Sequence, residues 1–107
     1  MFAANGLKQV FKTQFNFKIH SLAAILVVLF GWWLEVSVPE WLALVICIGC
    51  VLAAELMNTA IEFLVNLVSP EFNPKAGLVK DIAAGAVLVT ALMSLAVSLI
   101  IFVPKIF

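Results

Sequence analysis

Three long apolar runs separated by short polar breaks set the pattern of this chain, and a mixed segment precedes them. In that segment, residues 2–17, Leu7, Val10, Phe11 and Phe15 recur at helical spacing, with Asn5, Lys8, Gln9, Lys12 and Thr13 on the other side. The distribution predicts an amphipathic helix lying in a membrane interface, since the phenylalanines fit a soluble tail poorly. The first apolar run, His20 to Leu34, is short for a crossing and borrows flanking residues such as Phe17 and Ile19. It predicts a span over about 18–35, with Trp32 and Trp33 at the depth of an aromatic belt. Glu35 to Glu40 form a turn, in which Ser37 and Glu40 have capping-box spacing and Pro39 suits a first helical turn. A second helix is predicted over about 40–68. The break Ser69-Pro-Glu-Phe-Asn-Pro74 ends it, because neither proline continues a helical ladder. A third is predicted over about 80–103, closed by Pro104 and Lys105.

Composition turns these runs into membrane spans. The chain is 65% hydrophobic and 11% charged, where a soluble domain carries about a quarter charged residues. Lipid must therefore solvate most of the surface, and runs of this length exclude a soluble helical core. Six lysines balance six acids, which leaves no basic surface for nucleic acid. No small-residue cleavage site follows an early apolar core, so no cleaved signal peptide is expected, and there is no internal repeat. Cys47 and Cys50 stand one helical turn apart in an apolar stretch, and the single histidine, His20, is distant in sequence. Zinc needs about four ligands, so the two cysteines are read as packing residues.

Lysine placement orients the chain. Lys8, Lys12 and Lys18 precede the first span, and Lys75 and Lys80 lie between the second and third. The loop between the first and second carries only Glu35 and Glu40. The positive-inside rule then puts the N-terminus and the second loop in the cytoplasm, with Lys105 alone opposing.

The second helix carries a polar stripe. Glu55, Asn58, Thr59, Glu62 and Asn66 share one face of a helix otherwise made of Leu, Val, Ile, Ala and Phe. Ionisable residues inside a span mark functional sites. Interhelical glue is the plainer alternative; Asn and Thr serve it, but two glutamates serve it badly. Counting from an outer boundary near residue 40 at the rise of a helix, Glu55 lies about 22 Å deep and Glu62 about 33 Å, at the cytoplasmic boundary of roughly 30 Å of hydrocarbon. Lys80 and Asp81 belong at the same level, and the small residues Ala83 to Ala86 allow a close helix approach. Phosphoryl transfer needs such a set: a general base, a carboxylate for Mg²⁺ and a cation for phosphates. No Walker A loop or soluble-kinase signature is present, so the residue pattern alone yields an intramembrane acid/base site facing the cytoplasm.

The run ELMNTAIEFLVNLVSPEFNP, continued by KDIAAGAVL, resembles the signature of the prokaryotic diacylglycerol kinase family, including its undecaprenol kinase branch. FNFKIH at 15–20, LEVSVPEW at 34–41 and IIFVPKIF at the C-terminus extend the likeness over nearly the whole chain. The resemblance implies one lipid kinase domain over residues 1–107 in a bacterial cytoplasmic (inner) membrane. It also implies a homotrimer with active sites at subunit interfaces, ATP as phosphoryl donor with Mg²⁺, and a lipid alcohol as acceptor. By position, Glu55 resembles the catalytic base, Asn58 the polar residue supporting it, and Glu62 a metal ligand. Lys80 and Asp81 match a pair that contacts ATP phosphates, and Glu71, Phe72 and Asn73 fall at a nucleotide-contacting loop where the last is commonly His. Gln14 stands where the family usually has a second metal-binding Glu that also meets the nucleotide, and Asn66 where it usually has Asp. Both exchanges delete a charge, which should weaken metal binding. Asn66, Thr59 and Trp33 complete the set as candidate supports of the substrate site. His20 resembles the undecaprenol branch, although an ordinary interfacial residue would fit the same position.

Two other readings stay open at this point. A small oligomeric transporter would use Glu55 but leaves Glu62, Lys80 and Asp81 unexplained. A catalytically weakened family member that only binds nucleotide or lipid is consistent with Gln14 and Asn66.

Overall fold

A computed structural model describes residues 1–107 as four helices: α1 (Phe2–Thr13), α2 (Phe15–Trp33), α3 (Val38–Val68) and α4 (Pro74–Ile106). The last three are long and apolar enough to cross a membrane. At 1.5 Å per residue, α2 is about 28 Å long and matches a hydrocarbon core, whereas α3 and α4, at nearly 50 Å, extend beyond it.

The helix expected over 2–17 is two helices. Gln14 adopts an extended conformation (φ −107°, ψ 107°), ending α1 and starting α2. The Thr13 hydroxyl donates to the Gln9 carbonyl at 2.8 Å, a local bond that competes with helix continuation. The redirected chain buries Phe17, whose ring meets Phe11 edge-on at 6.5 Å.

At the far end of α2 the chain turns through a Schellman motif. The Val36 N–H donates to Gly31 O at 3.1 Å and the Glu35 N–H to Trp32 O at 3.3 Å, with Glu35 left-handed at φ 53°. The expected capping box then starts α3: the Glu40 N–H donates to Ser37 Oγ at 3.3 Å, and the Ser37 N–H to Glu40 Oε1 at 2.8 Å.

α4 starts six residues before Lys80. Asn73 caps it by accepting from the Lys75 N–H at 2.9 Å, and Pro74 occupies the first turn, where a missing N–H is harmless. The helix also continues through Pro104 to Ile106, contrary to the expected stop. Only one ladder bond is lost there, so near a terminus the interruption is small, and Lys105 Nζ pairs with Glu40 Oε1 at 3.1 Å.

α3 and α4 run antiparallel along their whole length. Three links set the register: Lys80 to Asn66, the Ser94 hydroxyl to the Cys47 carbonyl at 3.4 Å, and Lys105 to Glu40. Buried Ala83 is thereby carried to about the level of Glu62. The packed core of Val36, Leu44 and Ile101, flanked by Val27 and Trp41, sits at the Glu40–Lys105 end. The polar stripe lies toward the other end.

Candidate active site

α3 presents the stripe as a gradient of burial. Glu55 and Thr59 are 4% and 3% exposed, Asn58 and Glu62 are half-buried, and Asn66 is exposed. The face is thus sealed in mid-helix and opens toward the loop that joins α3 to α4. Spacing of three and four residues makes neighbours of these side chains: Asn58 Nδ2 donates to Glu62 Oε1 at 3.2 Å, and the Thr59 hydroxyl donates to the Glu55 carbonyl at 2.9 Å. Asn58 Oδ1 is buried and accepts no hydrogen bond.

The Glu55 carboxylate is met from another helix. His20 Nε2, early in α2, lies 3.2 Å from Glu55 Oε1. His20 also lines a cavity of about 260 Å³ between α2, α3 and α4, whose wall includes Ala24, Val27, Leu52, Ser94 and Ser98. His20 thus links the wall of an apolar cavity to the carboxylate that begins the polar stripe.

At the open end, Lys80 Nζ donates to Asn66 Oδ1 at 2.6 Å, so the lysine reaches the stripe as the small-residue run after it had suggested. Asp81 is exposed and forms no ion pair. Glu71 and Phe72 are exposed in the connecting loop, Phe72 at 93%, and the Ser69 hydroxyl donates to the Glu71 carbonyl at 3.4 Å. The Asn73 side chain is engaged as the α4 cap. Gln14, half-buried at the α1–α2 break, makes no side-chain bond to the stripe. Trp33 is not brought to Glu55: it follows His20 on α2 by about 20 Å of helix, and it lines a separate hollow with Trp32, Glu35 and Trp41.

Two features of the site are not evident from spacing within α3. The His20–Glu55 contact joins different helices, and no periodicity within one helix encodes it. Ser94 and Ser98 had a usable signal, since with Thr90 they repeat every four residues along the third span.

Comparison with known proteins places the chain in a family. A profile for the family described as prokaryotic diacylglycerol kinase matches residues 1–102. The chain belongs to that family. It is 41% identical over 103 residues to the undecaprenol kinase of Bacillus subtilis (strain 168), covering 96% of this chain and 84% of the relative. It is 36% identical over 106 residues to a diacylglycerol kinase of Synechocystis, covering 96% of this chain and 59% of that longer protein. Against the diacylglycerol kinase of Escherichia coli (strain K12) it is 27% identical over 89 residues, covering 83% and 73%. The chain is therefore a lipid kinase of a prokaryotic membrane family, and a transporter no longer competes.

Kinases of this kind take a divalent metal with the nucleotide. No three His, Cys, Asp or Glu side chains of one chain gather in one place. The Glu62 carboxylate and the unpartnered Asn58 Oδ1 are nevertheless hard oxygen donors on one face. That set fits a cation held by one or two protein oxygens and completed by phosphates.

Proposed function

We propose that this lipid kinase transfers the γ-phosphoryl group of ATP to the hydroxyl of a membrane lipid alcohol, with undecaprenol favoured over diacylglycerol. The observation that carries the proposal is the buried Glu55, whose neighbour His20 lines an apolar cavity and whose helix face continues as a polar stripe that opens toward the α3–α4 loop.

Glu55, as carboxylate, takes the proton of the lipid hydroxyl while the hydroxyl oxygen bonds to the γ-phosphorus and the bond to the β-phosphate bridge breaks, releasing ADP. Asn58 holds Glu62 and supports the reacting end. Thr59 and Asn66 support the stripe above and below. Glu62, with Gln14 in a neutral and weaker part, would hold Mg²⁺, which neutralises charge on the transferring phosphates. Lys80 can exchange Asn66 for a phosphate, and Asp81 with the loop Glu71, Phe72 and Asn73 completes the nucleotide side.

The polyprenol preference rests on two supports. One is the 41% identity to a relative named undecaprenol kinase. The other is the cavity wall, where Ser94 already donates to the Cys47 carbonyl. Apart from His20, that leaves Ser98 as the remaining polar side chain in the wall. A diacyl lipid would strip water from two ester carbonyls with few donors in return, whereas a hydrocarbon chain loses nothing there. The rest of the proposed arrangement is a single domain, α1 lying in the cytoplasmic interface, the N-terminus inside, three spans and a homotrimer in the bacterial inner membrane.

The test is transfer from labelled Mg²⁺-ATP to undecaprenol or diacylglycerol, offered separately in lipid. Glu55→Gln should lower kcat at least ~100-fold; transfer that survives it unchanged would falsify the assignment. A second reading, a weakened enzyme that binds nucleotide without turnover, is supported by neutral Gln14 and Asn66. It predicts bound nucleotide and no product.

A further inference from the structure

We infer that His20, a residue of the cavity wall, is the positioning residue that fixes the Glu55 carboxylate beside it, an inference that rests on the kinase reading above. A carboxylate that is 4% exposed inside a span needs a partner, because an isolated buried charge is strongly disfavoured. The other polar groups of the region are committed elsewhere. Asn58 donates to Glu62, the Thr59 hydroxyl to a backbone carbonyl, Lys80 to Asn66 and the Ser94 hydroxyl to Cys47. His20 Nε2, 3.2 Å from Oε1, is the polar contact that remains for the Glu55 side chain.

The contact is placed to matter for the acceptor more than for the nucleotide. His20 comes from α2 and lines the cavity, whereas Glu62, Asn66 and Lys80 lie along the opposite direction of the stripe. With the imidazole 3.2 Å from Oε1, the second oxygen is left to the incoming hydroxyl. A misplacement of about 1 Å in a reacting group can lower a rate by about 100-fold. Loss of His20 should thus fall on kcat and leave the KM for ATP alone.

The experiment compares His20→Ala with His20→Gln, whose side-chain amide keeps a polar group that can reach Glu55. We expect kcat to fall ~10- to 100-fold in His20→Ala with the KM for ATP unchanged. His20→Gln should recover most of the loss. Equal losses in both variants that track a lower folded fraction would make the role merely structural and overturn the inference. A second readout needs no activity. His20 is the one histidine of the chain, so ¹⁵N-histidine labelling gives a single ring to observe. Its ring nitrogen signals should move on Glu55→Gln; signals that stay in place would also overturn the inference. Should the wild type transfer no phosphate to any lipid, the kinase reading falls, and the ring signals still decide whether His20 holds Glu55.

Discussion

At the scale of single residues, the stripe contains one side chain that is worse placed for stability than an apolar substitute would be. Asn58 turns its amide nitrogen to Glu62 and leaves Oδ1 buried without a donor. An unmade buried hydrogen bond costs about 1–3 kcal/mol. Asn58→Leu, of similar shape, should therefore leave thermal stability in detergent equal or higher while transfer falls at least ~10-fold. A variant that melts earlier and keeps its activity would show Asn58 to be a packing residue. Gln14 poses the opposite case, a neutral group where the site would gain from charge. α1 rests against α3, and Gln14 sits at the joint between α1 and α2. Gln14→Glu should tighten Mg²⁺-ATP binding several-fold in equilibrium dialysis, because a second hard carboxylate would join Glu62. Unchanged or weaker affinity would place Gln14 away from the metal.

At the scale of elements, what the sequence made legible were features carried by local spacing. The capping box at Ser37 and Glu40, the break after Val68 and the one-faced stripe of α3 all follow from residues within one turn of each other. Sequence and structure part where one signal has two meanings. The spacing of Pro74 predicts part of a stop, yet with Asn73 before it the same residue is a helix start. Pro104 predicts an end and is tolerated near a terminus. The bend at Gln14 was hidden because apolar spacing records which face is buried but not where a helix changes direction. The turn at Glu35 offers an element-level test. A non-glycine residue in the left-handed region is disfavoured by about 1–2 kcal/mol, so Glu35→Gly should stabilise the chain by up to about 1 kcal/mol after glycine's own entropy is counted. Gly31→Ala in the same motif should do the reverse, because its new Cβ would lie 2.8 Å from the Trp41 ring. Paired thermal unfolding curves in one detergent check both, and equal melting points would mean the turn carries no strain.

At the scale of the whole molecule, one chain is a slab. It measures 51 × 31 × 19 Å, so its thickness is about two helix diameters. α2 and α4 both lean on α3 and meet each other at Phe30 and Phe102, 6.4 Å apart between ring centroids. Such a slab can close one end, and it closes the end with Val36, Leu44 and Ile101. At the stripe end, Glu62 is half-buried while Asn66, Glu71, Phe72 and Asp81 stand open. Apolar residues exposed along the spans are satisfied by lipid, but a nucleotide bearing several charges cannot react in an unwalled groove, since water would screen every contact made to it. In the homotrimer proposed above, another copy of the chain would supply the missing wall. Native mass measurement in a mild detergent should give three chains, and specific activity should follow the trimer fraction as detergent is raised. Full transfer by a monomeric fraction would mean that one slab suffices, and the open end would then need a different closure, with the α3–α4 loop folding over the nucleotide.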